Sequence, residues 1–253
     1  MFCPVWANDH LFLQNHCDVF LLFDMKTKNQ YTQSTQFTVQ PHLVPFRGLC
    51  KDFNQTVKRK NYPQKNIYTL RQLMTPQECQ QMIQFAKQLG FQQAGLATEQ
   101  DVYRVKEKTR NNKRVIFEDR GLAATLWQRM GHLVDPKFQN HHAYGLNWRF
   151  RIYEYTQGGI FAPHVDERMQ LPGDGLTTFF TFMIYLNEDV EGGETTFFDR
   201  RKPRSKKLTV NRRIKPRTGM GLAFDHLLFH EGSVVRKGVK YALRSDVIYS
   251  KKK

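Results

Sequence analysis

Cysteine is scarce in this sequence and badly placed for a scaffold. Cys3, Cys17, Cys50 and Cys79 all fall in the first third, at spacings that suit neither a zinc pair nor a disulfide framework. Reduced thiols in a cytoplasmic protein are the expectation that follows. No apolar run approaches the roughly 20 residues that a membrane span needs. The early apolar runs are broken by Asp9, His10, Asn15, His16 and Asp18, which argues against a secretory signal. A soluble chain with no membrane partner is therefore expected, and no internal repeat is visible that would suggest a repeat array. Acidic residues are also in short supply, with 23 Asp and Glu against 39 Lys and Arg, for a formal net charge of +16. The excess is local: Arg200 to Arg217 holds ten basic residues and no acidic one. Such a stretch can attract an acidic peptide or track a nucleic-acid backbone, and equally can be a solvated loop.

What is present suffices for a full core. The chain has 253 residues, 40% of them hydrophobic and 13% aromatic, which fits one domain with a leader better than two equal domains. Residues 1–65 show no sustained period and form a leader of unknown role, while 66–253 are expected to form the domain. Thr75-Pro76-Gln77-Glu78 is a capping box with proline at the first helical position. Cys79, Met82, Ile83, Ala86 and Leu89 follow on one face before Gly90, so a packed helix is predicted there. A second helix is predicted from Asp119, with Leu122, Ala123, Leu126, Met130 and Leu133 at helical spacing.

After Asn147 the period changes to two. In Trp148 to Tyr155 one face reads Trp148, Phe150, Ile152 and the other Arg149, Arg151, Tyr153, Tyr155, so a strand would turn a polar, aromatic side toward a cavity. Further strands are predicted at Thr177–Leu186, Glu194–Phe198, Met220–Phe224 and Val239–Tyr249. Helices over about residues 75–135 followed by strands over about 146–250 imply an α+β chain whose second half is a sandwich or barrel-like β domain.

His164-Val165-Asp166 places an imidazole and a carboxylate two residues apart, on one face of a strand. His230 ends the apolar segment Phe224 to His230, where an unpaired imidazole would be costly and metal ligation would supply a partner. Two histidines and one carboxylate leave three positions of an octahedral ion open, the arrangement of Fe(II) oxygenases, where a bidentate co-substrate and O2 complete the shell. Structural zinc would want thiolates, and no cysteine lies near these histidines. A dicarboxylate chelating iron at one end needs a buried cation at the other. Lys240, ten residues after His230, is favoured, with Arg244 on the same strand face as the competing choice.

Several ordered motifs join these residues: Arg151-Ile152-Tyr153-Glu154-Tyr155, Gly158-Gly159-Ile160-Phe161-Ala162-Pro163-His164-Val165-Asp166, Ile184-Tyr185-Leu186-Asn187, Glu191-Gly192-Gly193-Glu194-Thr195, Pro216-Arg217-Thr218-Gly219, His230-Glu231-Gly232 and Gly238-Val239-Lys240-Tyr241. Over about residues 70–250 the chain resembles the prolyl 4-hydroxylase type of the 2-oxoglutarate/Fe(II) oxygenase superfamily. That resemblance implies a double-stranded β-helix, the jelly roll of cupin-like proteins, with N-terminal supporting helices. It also implies Fe(II) on His164, Asp166 and His230, 2-oxoglutarate gripped by Lys240, O2 as oxidant and ascorbate as a reductant. Tyr185 falls where family members hydrogen-bond the co-substrate, Tyr155 where an aromatic hydroxyl lines the same pocket, and Thr196 is a further pocket candidate. Phe161 stands where a tyrosine is common, which removes one hydroxyl contact.

The function implied is hydroxylation of a C–H bond, first of all in a prolyl residue of a protein or peptide substrate. Asp166 supports hydroxylation over halogenation, since its loss would leave room for halide. Two rivals stand beside it: an oxidative demethylase acting on nucleic acid through Arg200 to Arg217, and a non-catalytic cupin-like metal-binding protein.

Overall fold

Two antiparallel sheets of unequal width carry the chain, seen in a computed structural model that describes residues 46–50, 53–63, 66–94, 109–172, 175–199 and 208–251. The elements run β1 (Lys58–Asn61), β2 (Ile67–Arg71), α1 (Pro76–Leu89), β3 (Gln92–Gln93), β4 (Lys113–Glu118), α2 (Arg120–Met130), β5 (Lys137–Phe138) and β6 (His141–Leu146). The next five strands are β7 (Arg149–Tyr155), β8 (Phe161–His164), β9 (Leu176–Tyr185), β10 (Glu191–Gly192) and β11 (Thr195–Phe198). The last are β12 (Val210–Ile214), β13 (Gly221–Asp225), β14 (His230–Gly232), β15 (Val235–Lys237) and β16 (Lys240–Ser250).

The wide sheet has the order β1-β2-β13-β9-β16-β7-β4-β3, with β6 also on β16 and β5 on β6. The narrow sheet has the order β12-β11-β14-β8, and β10 pairs with β15 in a separate ribbon. From β7 to β16 the chain winds between the two sheets: β7, β9, β13 and β16 lie in the wide one, β8, β11, β12 and β14 in the narrow one. This is the winding of a double-stranded β-helix, the fold expected. Of the basic stretch Arg200 to Arg217, residues 200–207 lie outside the described residues, as do residues 1–45 of the leader.

Alternation along the strands makes two compartments. In β7, Phe150 and Ile152 enter the main core; in β16, Leu243, Val247 and Tyr249 do the same. Met82 and Ile83 of α1 and Leu122 and Leu126 of α2 belong to that core, so the helices cover one face of the wide sheet. The opposite residues, Tyr153 and Tyr155 of β7 with Lys240 and Arg244 of β16, face a cavity shared with the narrow sheet.

The helices form where their caps dictate. Thr75 and Glu78 make the reciprocal capping box of α1, and Gly90 closes it at φ 84°. Asp119 caps α2 by accepting the Leu122 N–H at 2.8 Å. Glu78 does more than cap: buried with Arg129 of α2, it accepts from both guanidinium nitrogens at 2.8 and 3.0 Å and from the Cys50 N–H at 2.7 Å. Burial pulls the Glu78 carboxyl upward, but these donors and the Thr75 N–H hold it below its ordinary range.

The β structure is wider than the sequence suggested. β4 lies inside the stretch expected to be helical, and β1 belongs to the sheet although Lys58–Asn61 falls within the leader. Both are short, and β1 is polar and largely exposed, so neither carries a period strong enough to read. None of the described helices is long and apolar enough to cross a membrane.

Candidate active site

His164 and His230 are register partners on the adjacent antiparallel strands β8 and β14, which sets their rings 4.3 Å apart between centroids. Asp166 follows β8, anchored by its N–H donating to the His226 carbonyl at 2.8 Å. Val165 between them is exposed while Asp166 is buried, so the chain keeps its alternation past the end of the strand. His164 Nε2 lies 3.6 Å from Asp166 Oδ1, and His230 Nε2 lies 3.6 Å from Asp166 Oδ2. These separations are too long for hydrogen bonds and are of the size that divides two atoms each bound at about 2 Å to one ion.

The rings are oriented for that task. Each Nδ1 lies 2.8 Å from a backbone carbonyl, of Ala162 for His164 and of Leu228 for His230, so Nδ1 carries the proton and Nε2 offers its lone pair inward. Phe161 stacks on the His164 ring at 3.7 Å. Burial lowers the pKa of His230 to about 4, against the opposing pull of Asp166, and so keeps its imidazole neutral. Asp166 is also buried, which pulls its carboxyl upward, yet Arg244 and the two histidines hold it well below the ordinary carboxylate range. Two imidazoles with Nε2 turned inward and an ionised carboxylate are the donor set that a divalent ion requires. Among the described residues they are also the one His, Cys, Asp or Glu cluster able to hold a metal.

The far end of the cavity belongs to Lys240. It is 2% exposed, donates from Nζ to the Gly193 carbonyl at 2.6 Å and lies over the Tyr155 and Tyr185 rings at 5.2 and 5.4 Å. Gly192 and Gly193 both have positive φ, and a Cβ on Gly192 would meet the Val234 carbonyl at 2.3 Å, so glycine alone permits this turn. No carboxylate among the described residues lies within ion-pair distance of Lys240, and burial lowers its pKa to about 8, opposed only by Glu194. Arg244, the rival on the same face, is already engaged: its Nη2 lies 3.0 Å from Asp166 Oδ1 and 3.6 Å from Asp246 Oδ1. Four residues of strand set the Cα atoms of Lys240 and Arg244 about 13 Å apart, with the Arg244 guanidinium against Asp166 and the Lys240 ammonium against Gly193.

The remaining candidates are sorted by the register. Tyr155 lines the cavity directly. Tyr185 is fully buried and binds Thr195 Oγ1 at 2.7 Å, so it stands behind Thr195, beside Lys240. Thr196 is a correction: its hydroxyl bonds Ser233 Oγ at 2.7 Å on the other side of β11, and Thr195 lines the cavity instead. Adjacent strand residues point to opposite faces, so a slip of one position exchanges them. Tyr153, on the strand face expected to turn toward a cavity, lines it beside Tyr155, whereas Thr181 and Met183, which also line it, were missed by sequence reasoning. A larger cavity of about 980 Å³ lies elsewhere, between residues 46–50 and 53–57 on one side and α2 on the other, and holds none of these groups.

A double-stranded β-helix holding two histidines and an aspartate around one point defines the class of non-haem Fe(II) oxygenases. Residues 150–245 match the family described as the 2OG-Fe(II) oxygenase superfamily. No curated protein matches the chain. Among solved structures, a prolyl hydroxylase from Trichoplax adhaerens, in complex with a hypoxia inducible factor oxygen degradation domain peptide fragment, is 17% identical with a TM-score of 0.52; the match covers 74% of this chain and 84% of that one. A viral collagen prolyl hydroxylase from Paramecium Bursaria Chlorella virus-1, in its 2OG complex, is 20% identical over 73% of this chain and 96% of that one, with a TM-score of 0.46. A Pseudomonas putida prolyl-4-hydroxylase is 13% identical over 72% and 91%, with a TM-score of 0.49. The first of these likenesses identifies the fold.

Proposed function

We propose that this 2-oxoglutarate-dependent dioxygenase hydroxylates a C–H bond in a protein or peptide, a prolyl residue first of all. In this reading His164, Asp166 and His230 hold Fe(II), and Lys240 holds the far carboxylate of 2-oxoglutarate. The observation that carries it is the pairing of a convergent triad with a buried ammonium that has no carboxylate partner among the described residues. A binding module has no need of that second feature.

With 2-oxoglutarate and O2, bound iron supplies an oxidation that puts one oxygen atom into the substrate and the other into succinate, with loss of CO2. The chain's own residues bind, orient and exclude. Ala162 and Leu228 carbonyls fix the two imidazoles; Tyr153, Tyr155, Met183 and Phe224 wall the cavity against water. Lys240 would bind one end of the co-substrate by a charge-assisted hydrogen bond, which also relieves the desolvation of the ammonium. The prolyl preference rests on the motif resemblance, and the basic character of residues 200–217 favours an acidic peptide.

The test is 2-oxoglutarate-dependent succinate release with Fe(II) and ascorbate, wild type against His164→Ala, followed by a mass-spectrometric search for oxygen-shifted peptides after incubation with lysate. Succinate from the wild type alone and a shifted prolyl peptide are expected. No succinate under any condition would favour a non-catalytic binding protein; hydroxylated nucleosides in place of peptides would transfer the activity to nucleic acid.

A further inference from the structure

Behind the triad lies a second buried set of charges that co-substrate binding does not use. Asp246 is 1% exposed, and besides Arg244 it faces Arg151 Nη1 at 3.7 Å and His226 Nε2 at 3.4 Å. Neither oxygen of Asp246, neither ring nitrogen of the fully buried His226, nor Nε of Arg244 makes a hydrogen bond among the described residues. Two carboxylates, Asp166 and Asp246, face two guanidiniums, Arg151 and Arg244. Around Asp246 the spacings, 3.4, 3.6 and 3.7 Å, are those of ion pairs rather than of well-made hydrogen bonds. Such a group is costly to bury and contributes little to stability against an apolar replacement, so its retention points to a task.

Contacts on Asp166 show what that task is. Arg244 Nη2 approaches Oδ1 at 3.0 Å, and the Thr181 hydroxyl donates to Oδ2 at 2.5 Å, so the carboxylate is restrained from both sides. The two restraints are themselves joined, for Arg244 Nη2 lies 3.4 Å from Thr181 Oγ1. A carboxylate on a single rotatable stem behind the end of β8 would otherwise pivot about its Cβ–Cγ bond, and an ion needs one of its lone pairs to face both imidazoles. Asp246 lies on the inner face of β16 two residues beyond Arg244 and holds the guanidinium from behind.

We infer that Arg244 is a positioning residue for the metal ligand Asp166, fixing the plane of its carboxylate, and that Asp246, backed by Arg151 and His226, keeps Arg244 in place for this. The inference rests on the proposed iron site. A guanidinium so close to a ligand oxygen also competes with the ion for its charge. If that competition outweighed the restraint, removing Arg244 would tighten metal binding instead of weakening it.

Anaerobic titration with Co(II), followed by its visible absorption, decides between these. Arg244→Gln should weaken Co(II) binding by about 10- to 100-fold, the usual effect of losing a partner of a metal ligand, and should alter the absorption band. Asp246→Asn should shift both in the same direction but less, and the double variant should be no worse than Arg244→Gln, because Asp246 acts through Arg244. Arg244→Lys should restore the charge but only part of the affinity, since one ammonium cannot span two carboxylates. Thermal melting of each metal-free form checks folding; should Arg244→Gln fail to fold, the other two single variants carry the test. Unchanged or tighter Co(II) binding with the wild-type band in folded variants would overturn the inference and leave the iron site standing. A wild type that binds no Co(II) would refute the site itself.

Discussion

Replacing Lys240 by methionine should separate stability from co-substrate binding. The ammonium is 2% exposed and has one hydrogen bond, to the Gly193 carbonyl, so the protein without 2-oxoglutarate bears most of its desolvation. Burial takes its pKa from 10.5 to about 8. That difference corresponds to about 3 kcal/mol of destabilisation at neutral pH. The folded ammonium gives up its proton near pH 8 while the unfolded one keeps it to 10.5, so the unfolded chain binds more protons in that window and stability rises with pH across it. Lys240→Met should therefore raise the stability of the ligand-free protein at pH 7, by up to that amount, and flatten the rise between pH 8 and 10.5. Binding should move the other way: loss of a buried charge partner costs about 2–5 kcal/mol, or roughly 30-fold or more in the Kd of 2-oxoglutarate. Urea denaturation without ligand and calorimetric titration with 2-oxoglutarate on the Co(II) form measure the two halves. A variant that binds 2-oxoglutarate as tightly as the wild type would refute the assignment, and simultaneous loss of binding in an Arg244 variant would transfer the role there.

Other expectations follow from the packing and the register. Arg129→Met should destabilise the protein by about 3–5 kcal/mol in urea denaturation, because it leaves the buried Glu78 carboxylate without its guanidinium, and adding Glu78→Gln should recover part of the loss. Since Glu78 is held below its ordinary range, its contribution is present above the unfolded carboxyl pKa and lost as pH falls through the lower folded value, a slope that Glu78→Gln should remove. Thr196→Val should leave the KM for 2-oxoglutarate near wild type, as its hydroxyl faces Ser233, whereas Thr195→Val should raise it and destabilise the fold by about 1–3 kcal/mol by stranding the buried Tyr185 hydroxyl. Equal effects at the two positions would show that the register of β11 is misplaced.

Much of this architecture is local and so could be read from the chain. The Thr75–Glu78 box marks the start of α1, and the alternation of Arg149 to Tyr155 separates the core face from the cavity face. His164 and Asp166 sit two residues apart on one strand path, so their convergence needs no knowledge of the fold. His230 needs more, since its meeting with His164 depends on β8 pairing with β14 across 66 residues of sequence. What stayed hidden is non-local or a matter of a single residue of register. Thr195 and Thr196 are chemically identical, and only the β11–β14 pairing says which one faces in. Arg244 and Lys240 share a face and a charge, and only the position of Asp166, just past the end of β8 in the other sheet, assigns one to the triad and leaves the other free of it. The edge strand β1 is polar and four residues long, too short to show a period.

Counting metal ions per chain tests the central claim most directly. Anaerobic Fe(II) or Co(II) titration should give one tightly bound ion in the wild type, and none in His164→Ala, Asp166→Ala or His230→Ala variants that melt as folded proteins. One ion still bound at wild-type affinity in any of the three would contradict the convergence of these side chains on a common metal.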